Sequence, residues 1–162
     1  MAEKVSMLRR PRIDLKHISL AALLSVALLP HVASAALGGP ETEVATDAQA
    51  LKASVKSTAR TAYTVHAIQL PSGTVLREYA VAGGNVFAVA WSGPSLPNLR
   101  QALGQYFDSY VSGAKAQPGS HRHLEIRQSD LVVQSGGHMR AFSGRAYLPQ
   151  GLPSGVSLDE LR

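Results

Sequence analysis

Residues 63–91 have the pattern of three consecutive β-strands joined by tight turns. YTVHAIQL (63–70) and TVLREYAV (74–81) are rich in β-branched and aromatic residues, and the Pro-Ser-Gly between them is typical of a turn. Ala-Gly-Gly-Asn then leads into VFAVAW (86–91), whose apolar residues on both faces predict a strand that is covered on both sides. The pattern therefore predicts an antiparallel meander.

The spacing of the apolar residues then changes to steps of three or four, which predicts one long amphipathic helix. The apolar positions with this spacing are Leu96, Leu99, Leu103, Phe107 and Tyr110. Ser95 is placed to cap the first turn, Pro97 is tolerated there, and Gly113 marks the far end. Because its apolar face must be buried, we expect this helix to pack on the meander.

A shorter helix is predicted before the strands. Its apolar positions, spaced by four, three and four residues, are Val44, Ala48, Leu51 and Val55. Thr46 or Asp47 is placed to cap the first turn. Lys52, Lys56 and Arg60 recur at steps of four on another face, which is more typical of a solvated helix face than of a binding surface.

The second half of the chain again has the pattern of β-structure. HRHLEIRQ (121–128) alternates, and DLVVQS (130–135) and HMRAFSGRAYL (138–148) predict two further strands. Residues 149–162 are punctuated by Pro and Gly, so we expect them to run over the surface. The elements together predict an α+β fold: an antiparallel sheet of about five to six strands packed on one long helix, with a short N-terminal helix, in the manner of a cystatin-like or similar roll.

The stretch that looks most like a site contains Gly136, Gly137 and His138. Paired glycines between two strands are typical of a hairpin turn, because glycine accepts the positive φ that tight turns need. On this interpretation the glycines turn the chain and His138 begins the outgoing strand without a chemical role. Gly144, further along that strand, predicts a bulge or a close backbone approach.

The first 35 residues have the pattern of a targeting segment. A basic leader precedes an apolar run of twelve residues at 18–29, and Ala-Ser-Ala at 33–35 matches the small-x-small pattern of a signal peptidase site. A run of that length is too short to span a membrane, which takes about 20 residues. We therefore predict a signal peptide at 1–35, cleaved after Ala35, and a single exported domain at 36–162 that starts with a flexible Ala-Leu-Gly-Gly-Pro segment.

Removal of the predicted signal peptide changes the charge of the chain. The whole sequence has 16 Lys and Arg against 11 Asp and Glu, and the first 35 residues hold five of the basic residues and two of the acidic ones. The remaining domain has eleven basic and nine acidic residues, a net charge of +2, so nucleic-acid binding is not expected. The sequence has no cysteine, which excludes disulfides and a thiolate nucleophile.

The strongest candidate for chemistry is HRHLE. On a strand, His121, His123 and Glu125 project from one face, and two imidazoles with a carboxylate suit zinc or copper. The alternative is the polar face of a partly exposed strand, and His66 and His138 contribute only if the fold brings them there. Phosphate-binding glycine loops and nucleophile elbows are not found, so no catalytic or cofactor-binding residue is predicted.

Three stretches resemble a family of exported proteobacterial proteins known as a domain of unknown function, DUF 2844. They are ALGG, YTVHAIQLPSGTVLREYAVAGGNVFAVAWSGPSLPNLRQALGQYF and DLVVQSGGHMRAFSGRAYLP. The resemblance covers residues 36–162 and implies a small exported domain. It implies no activity, ligand or catalytic residue.

The function expected from the sequence is a non-enzymatic module of the periplasm or the exterior that binds a protein, a peptide or an envelope component. The alternative is a metal-binding protein or metal-dependent enzyme that uses His121, His123 and Glu125. An enzyme without a metal would need a pocket that gathers Tyr, His and Arg side chains from several strands.

Overall fold

The computed structural model describes residues 36–117 and 123–162, which are built around a seven-stranded antiparallel sheet. The strands are β1 (Ser54–Ala59), β2 (Thr64–Gln69), β3 (Val75–Ala80), β4 (Val86–Gly93), β5 (His123–Arg127), β6 (Val132–His138) and β7 (Ala141–Tyr147). Their order is β1-β2-β3-β4-β7-β6-β5, so the sheet is open with β1 and β5 at its edges. The predicted α+β class and the meander β2–β4 are confirmed, and the closer likeness to a cystatin-like roll stays a prediction.

The strand that the sequence did not predict is β1. Helix α1 (Val44–Ala50) ends before it, and Lys52 turns the chain with a φ of 53°. Val55 and Lys56 therefore lie in β1, and the basic helical face predicted for Lys52, Lys56 and Arg60 is not formed. Every residue of β1 is exposed, so its sequence has no buried face by which a strand is recognised. The predicted count of five to six strands is wrong for this reason.

The predicted single long helix is also wrong, because two short helices take its place. They are α2 (Leu99–Leu103) and α3 (Phe107–Lys115), separated by a 3₁₀ turn at Gly104–Tyr106. Gly104 has a φ of 51°, and a Cβ there would lie 2.5 Å from Ala36 Cβ. Glycine thus allows both the break and the packing of the N-terminal segment against it.

The ends of these helices differ from the prediction as well. Asn98 accepts a hydrogen bond from the Gln101 backbone N at 3.3 Å and so caps α2 in place of Ser95. Gly113 lies inside α3, where a Cβ would come within 2.6 Å of Ile126 Cγ2, so it permits close packing on β5 instead of ending the helix. In the described part of the chain, no helix combines the length and the apolar character needed to cross a membrane.

Both faces of the sheet are covered. The helix-covered face carries the larger core, whose buried side chains include Ile68, Leu76, Val89, Trp91, Leu103 and Val133. The opposite face, which we call the tail-covered face, buries Tyr63, Tyr79, Phe87, Tyr147 and Leu161, with Leu152, Val156 and Leu158 packed against them. The last residues were expected to run over the surface; instead Leu161 is only 1% exposed and belongs to this second core.

The segment after the predicted cleavage point is part of the fold. Ala36 and Leu37 are buried, and Leu37 N donates to Ala102 O at 3.0 Å. Gly38 N donates to Val86 O at 2.8 Å. The expectation of a flexible start is therefore wrong, because the backbone of this segment is bonded to both α2 and β4.

The turn between β6 and β7 is not made by the two glycines. Gly137 lies in β6, paired with Phe142, and the chain turns at Met139 and Arg140, the latter with a φ of 66°. Gly137 has a φ of 129°, and a Cβ there would lie 2.2 Å from Ala141 O. The glycine is needed for a close strand contact, and His138 ends β6 instead of beginning β7.

Candidate functional site

A pocket of about 390 Å³ lies between the sheet and the last residues of the chain. Its floor includes a row of cross-strand neighbours: Ser92 pairs with Ser143, Ser143 with Gly136, and Gly136 with His123. Leu161, from the tail, also lines it. The volume falls within the range of small-molecule sites, about 300–1,000 Å³.

Arg145 lines this pocket and is oriented by two hydrogen bonds. Its Nε donates to Gln134 Oε1 at 2.8 Å, and its Nη1 donates to the Leu158 carbonyl in the tail. Gln134 in turn donates to Glu125 Oε1 at 2.9 Å. Nη2 of Arg145 has no partner among the described residues, so a fixed guanidinium retains donor capacity for a ligand.

Trp91 also lines the pocket, but its side chain packs in the core of the helix-covered face, on the other side of the sheet from the tail. Its side chain is buried, and Nε1 has no hydrogen-bond partner in the described part of the chain. The ring carbon Cε2, which is bonded to Nε1, lies 2.6 Å from the position that a Cβ on Gly144 would take, and Gly144 also lines the pocket. An unpaired buried donor costs about 1–3 kcal/mol.

The charges at the pocket are positive. Arg145 and Arg162 are among its described lining residues, and none of those lining residues is acidic. Glu125, on β5, accepts a hydrogen bond from Gln134 and forms an ion pair with Arg127. The hydrogen bond from Gln134 is the largest cause that lowers the pKa of Glu125, and the contact with Arg127 lowers it further. The chemistry of the pocket is therefore that of a hydrogen-bond donor set with a positive charge.

The predicted metal ligands are only partly described. His121 lies outside the described residues, whereas His123 and Glu125 lie two positions apart on β5 and therefore share a face. Among the described residues, no group of three or more His, Asp or Glu side chains is placed to hold a metal ion. His66 lies on β2 and the exposed His138 at the end of β6, and neither lines the pocket.

A second polar constellation, which sequence reasoning missed, lies on β1 and β2. His66 Nδ1 is 2.8 Å from Ser57 Oγ, and His66 Nε2 is 3.0 Å from Glu41 Oε1. Glu41 Oε2 accepts a hydrogen bond from Gly83 N at 2.8 Å. Burial alone raises the pKa of Glu41, but the hydrogen bonds from Gly83 and His66 outweigh it and lower the pKa. No motif links these residues, because they come from separate elements.

Glu78 is a buried carboxyl beside this constellation, paired with His66 across the sheet. It is 1% exposed, and its Oε2 has no hydrogen-bond partner among the described residues. Burial, and then the charge of Asp47, raises the pKa of Glu78 to about 8, so the neutral acid predominates at neutral pH. Burial, and then the charge of Glu43, raises the pKa of Asp47 to about 6.

The fold and the pocket thus define a small α+β domain with a ligand-sized, donor-rich cavity. The chain belongs to the family of proteins of unknown function DUF2844, whose model matches residues 33–161. No curated protein and no solved structure matches the chain.

Proposed function

We propose that this protein is an exported binding domain that holds a small anionic ligand in the pocket between the sheet and the tail. The observation that supports this function is the pocket lining, in which Arg145, Ser92 and Ser143 offer donors and no lining residue that the structure describes is acidic. An ionised carboxylate brings only acceptors at neutral pH and phosphate brings mostly acceptors, so the chemistry of either anion complements this lining.

Thermal unfolding of the purified protein tests this function, with citrate and phosphate as anionic probes and glucose as a neutral one. A ligand present at 100 times its Kd stabilises the folded state by about 2.7 kcal/mol. We expect at least one anion to raise the midpoint and glucose to leave it unchanged. Ser143→Leu fills the floor of the pocket and should abolish the response, whereas Thr58→Leu, on the exposed strand β1, should retain it.

Two outcomes contradict the binding function. One is that neither anion raises the unfolding midpoint of the parent protein. The other is that Ser143→Leu responds to the anion as strongly as Thr58→Leu does. Arg145→Gln provides a second comparison, since it removes the positive charge; we expect a weaker response to anions from this variant.

We further propose that residues 1–35 are a signal peptide and that the domain works in the periplasm or outside the cell. The support is the basic leader, the apolar run and the Ala-Ser-Ala sequence. N-terminal sequencing of the protein from the periplasmic fraction should give Ala36 as the first residue. Met1 or Ala2 at the start of the soluble protein contradicts the proposal.

Metal binding through His121, His123 and Glu125 remains the alternative function. Its support is the shared face of His123 and Glu125 on β5. Elemental analysis of the protein from the periplasm distinguishes the two functions. Stoichiometric zinc or copper that is lost in His123→Ala favours the alternative, and metal-free protein that still responds to anions favours the binding domain.

A further inference from the structure

Ser57, His66 and Glu41 form a chain of two hydrogen bonds that runs from the free edge of the sheet to the N-terminal segment. Ser57 is exposed on β1, while the side chains of His66 and Glu41 are only 9% and 19% exposed. The order of groups is hydroxyl, imidazole and carboxylate, which is the order that activates a serine for acyl transfer.

The carboxylate determines which nitrogen of His66 carries the proton. An ionised Glu41 accepts hydrogen bonds and donates none, so the Nε2 that faces it at 3.0 Å is the protonated nitrogen of the neutral ring. Nδ1 is then unprotonated and accepts the Ser57 hydroxyl proton at 2.8 Å. The imidazole is thus held in the tautomer that a general base requires.

The register of the β1–β2 hairpin determines that the backbone N–H of Ser57 points to the free edge of the sheet. Arg60 N donates to Tyr63 O at 2.8 Å, which makes Arg60 and Tyr63 a hydrogen-bonded pair. Pair types alternate along an antiparallel ladder, so Ser57 and His66, three positions further, form a non-hydrogen-bonded pair. Side chains approach closely in such a pair, and the Ser57 N–H points away from β2, towards solvent.

We propose that Ser57, His66 and Glu41 form a hydrolytic site for carboxylic esters at the free edge of the sheet. Ser57 is the nucleophile, His66 is the general base and then the general acid, and Glu41 is a positioning residue that acts through His66. The outward N–H of Ser57 is a donor for the oxyanion, as the N–H of the nucleophile itself is in serine proteases. Ser57 does not line the anion pocket, so this proposal and the anion-binding proposal are tested independently of each other.

The reaction begins when Ser57 Oγ bonds to the ester carbonyl carbon and its proton moves to His66 Nδ1. The bond between that carbon and the alcohol oxygen then breaks, and the alcohol takes the proton from Nδ1. Water next attacks the acyl group on Ser57 and transfers a proton to Nδ1. The tetrahedral intermediate formed by water then breaks its bond to Ser57 Oγ, which takes back the proton from Nδ1 as the carboxylic acid leaves. In total, one ester and one water give one acid and one alcohol.

A fluorophosphonate probe and p-nitrophenyl acetate test this site. The probe forms an O–P bond with an activated serine as fluoride leaves, and peptide mapping then identifies the modified residue. We expect one adduct per chain, on Ser57, and hydrolysis of p-nitrophenyl acetate that Ser57→Ala abolishes. Ser54→Ala is the matched control, because Ser54 is an exposed serine on the same strand that lies outside the constellation.

The variant Glu41→Gln tests whether Glu41 positions His66 for the reaction or contributes only to folding. The amide loses the negative charge that stabilises the imidazolium, so we expect kcat for p-nitrophenyl acetate to fall at least about 10-fold while KM is unchanged. The mapped adduct on the unmodified protein needs no variant and remains informative if Glu41→Gln unfolds. The proposal is overturned if the protein forms no adduct, if the adduct lies on another residue, or if Ser57→Ala hydrolyses the ester as fast as Ser54→Ala.

Discussion

The indole ring of Trp91 lies directly over Gly144, its partner across the β4–β7 ladder, and a Cβ on this glycine would lie 2.3 Å from Trp91 Cζ2. The sequence predicted a bulge or a close backbone approach at Gly144; the backbone approach is confirmed, since a Cβ there would lie 2.8 Å from Gln134 O, and the aromatic ring is a closer contact that was not predicted. Because Trp91 is buried in the larger core, the ring has no free space into which it can move.

Gly144→Ala should therefore destabilise the domain by about 1–3 kcal/mol, the usual cost of overpacking a core. The measurement is the free energy of unfolding in urea. Ser143→Ala, at the adjacent exposed position, is the control and should stay within about 0.5 kcal/mol of the parent. Equal unfolding midpoints for the two variants would show that Trp91 is not packed against this glycine.

Gly137 and His138 should differ sharply in their tolerance to substitution. Gly137→Ala places a Cβ 2.2 Å from Ala141 O at a φ of 129°, so we expect a loss of more than about 1 kcal/mol. His138 is exposed, and its only described hydrogen bond runs to the Met139 carbonyl at 3.2 Å, so His138→Gln should be neutral within about 0.5 kcal/mol. Thermal melts of both variants test this contrast, which fails if the glycine variant melts with the parent.

Glu78 should make the domain less stable as the pH rises. Burial, and then the charge of Asp47, raises the folded-state pKa of Glu78 to about 8, above its ordinary value of 4.5. The folded state therefore binds the proton more tightly than the unfolded state, and stability falls by several kcal/mol as the pH rises from 4.5 to 8. Unfolding in urea between pH 5 and about 9 measures this slope.

Glu78→Gln removes the ionisable group and should flatten most of the slope attributed to Glu78. Asp47→Asn should have a smaller effect at lower pH, because the pKa of Asp47 is raised only to about 6. A slope that persists unchanged in Glu78→Gln would assign the pH dependence to other groups.

Tyr63 should titrate well above an ordinary tyrosine. Its hydroxyl donates to Glu160 Oε2 at 2.6 Å. This hydrogen bond, followed by burial and the charge of Glu160, raises the pKa of Tyr63 to about 12. Ultraviolet titration of the parent against Tyr63→Phe isolates this group, and Glu160→Gln should bring its pKa back towards 10. An unchanged titration in Glu160→Gln would mean that the tail does not hold Tyr63 in solution.

The elements that the sequence predicted well have periodic patterns of burial. Strands β2, β3 and β4 alternate or are fully apolar, and they occur where the pattern places them. Strand β1 was missed because it is exposed at every position. The helix period over Leu99, Leu103 and Phe107 was correct, but the period carries no information on whether the backbone is continuous at Gly104.

The candidate sites were harder to predict from the sequence than the fold was, because their residues are distant in sequence. Tyr63 and Glu160 are 97 residues apart, and Glu41 and His66 are 25 apart. No spacing rule connects such pairs, whereas His123 and Glu125 share a face simply because they are two apart on a strand. Only the order of strands across the sheet and the path of the tail bring the distant groups together.

The sequence by itself determined the α+β class, the meander β2–β4 and the presence of further strands after the helices, because local periodicity reports which side of each element is buried. The tertiary structure alone decided the break at Gly104, the turn at Met139 and Arg140, and the burial of Leu161. These features depend on what each segment packs against, and that contact lies outside the local pattern of the chain.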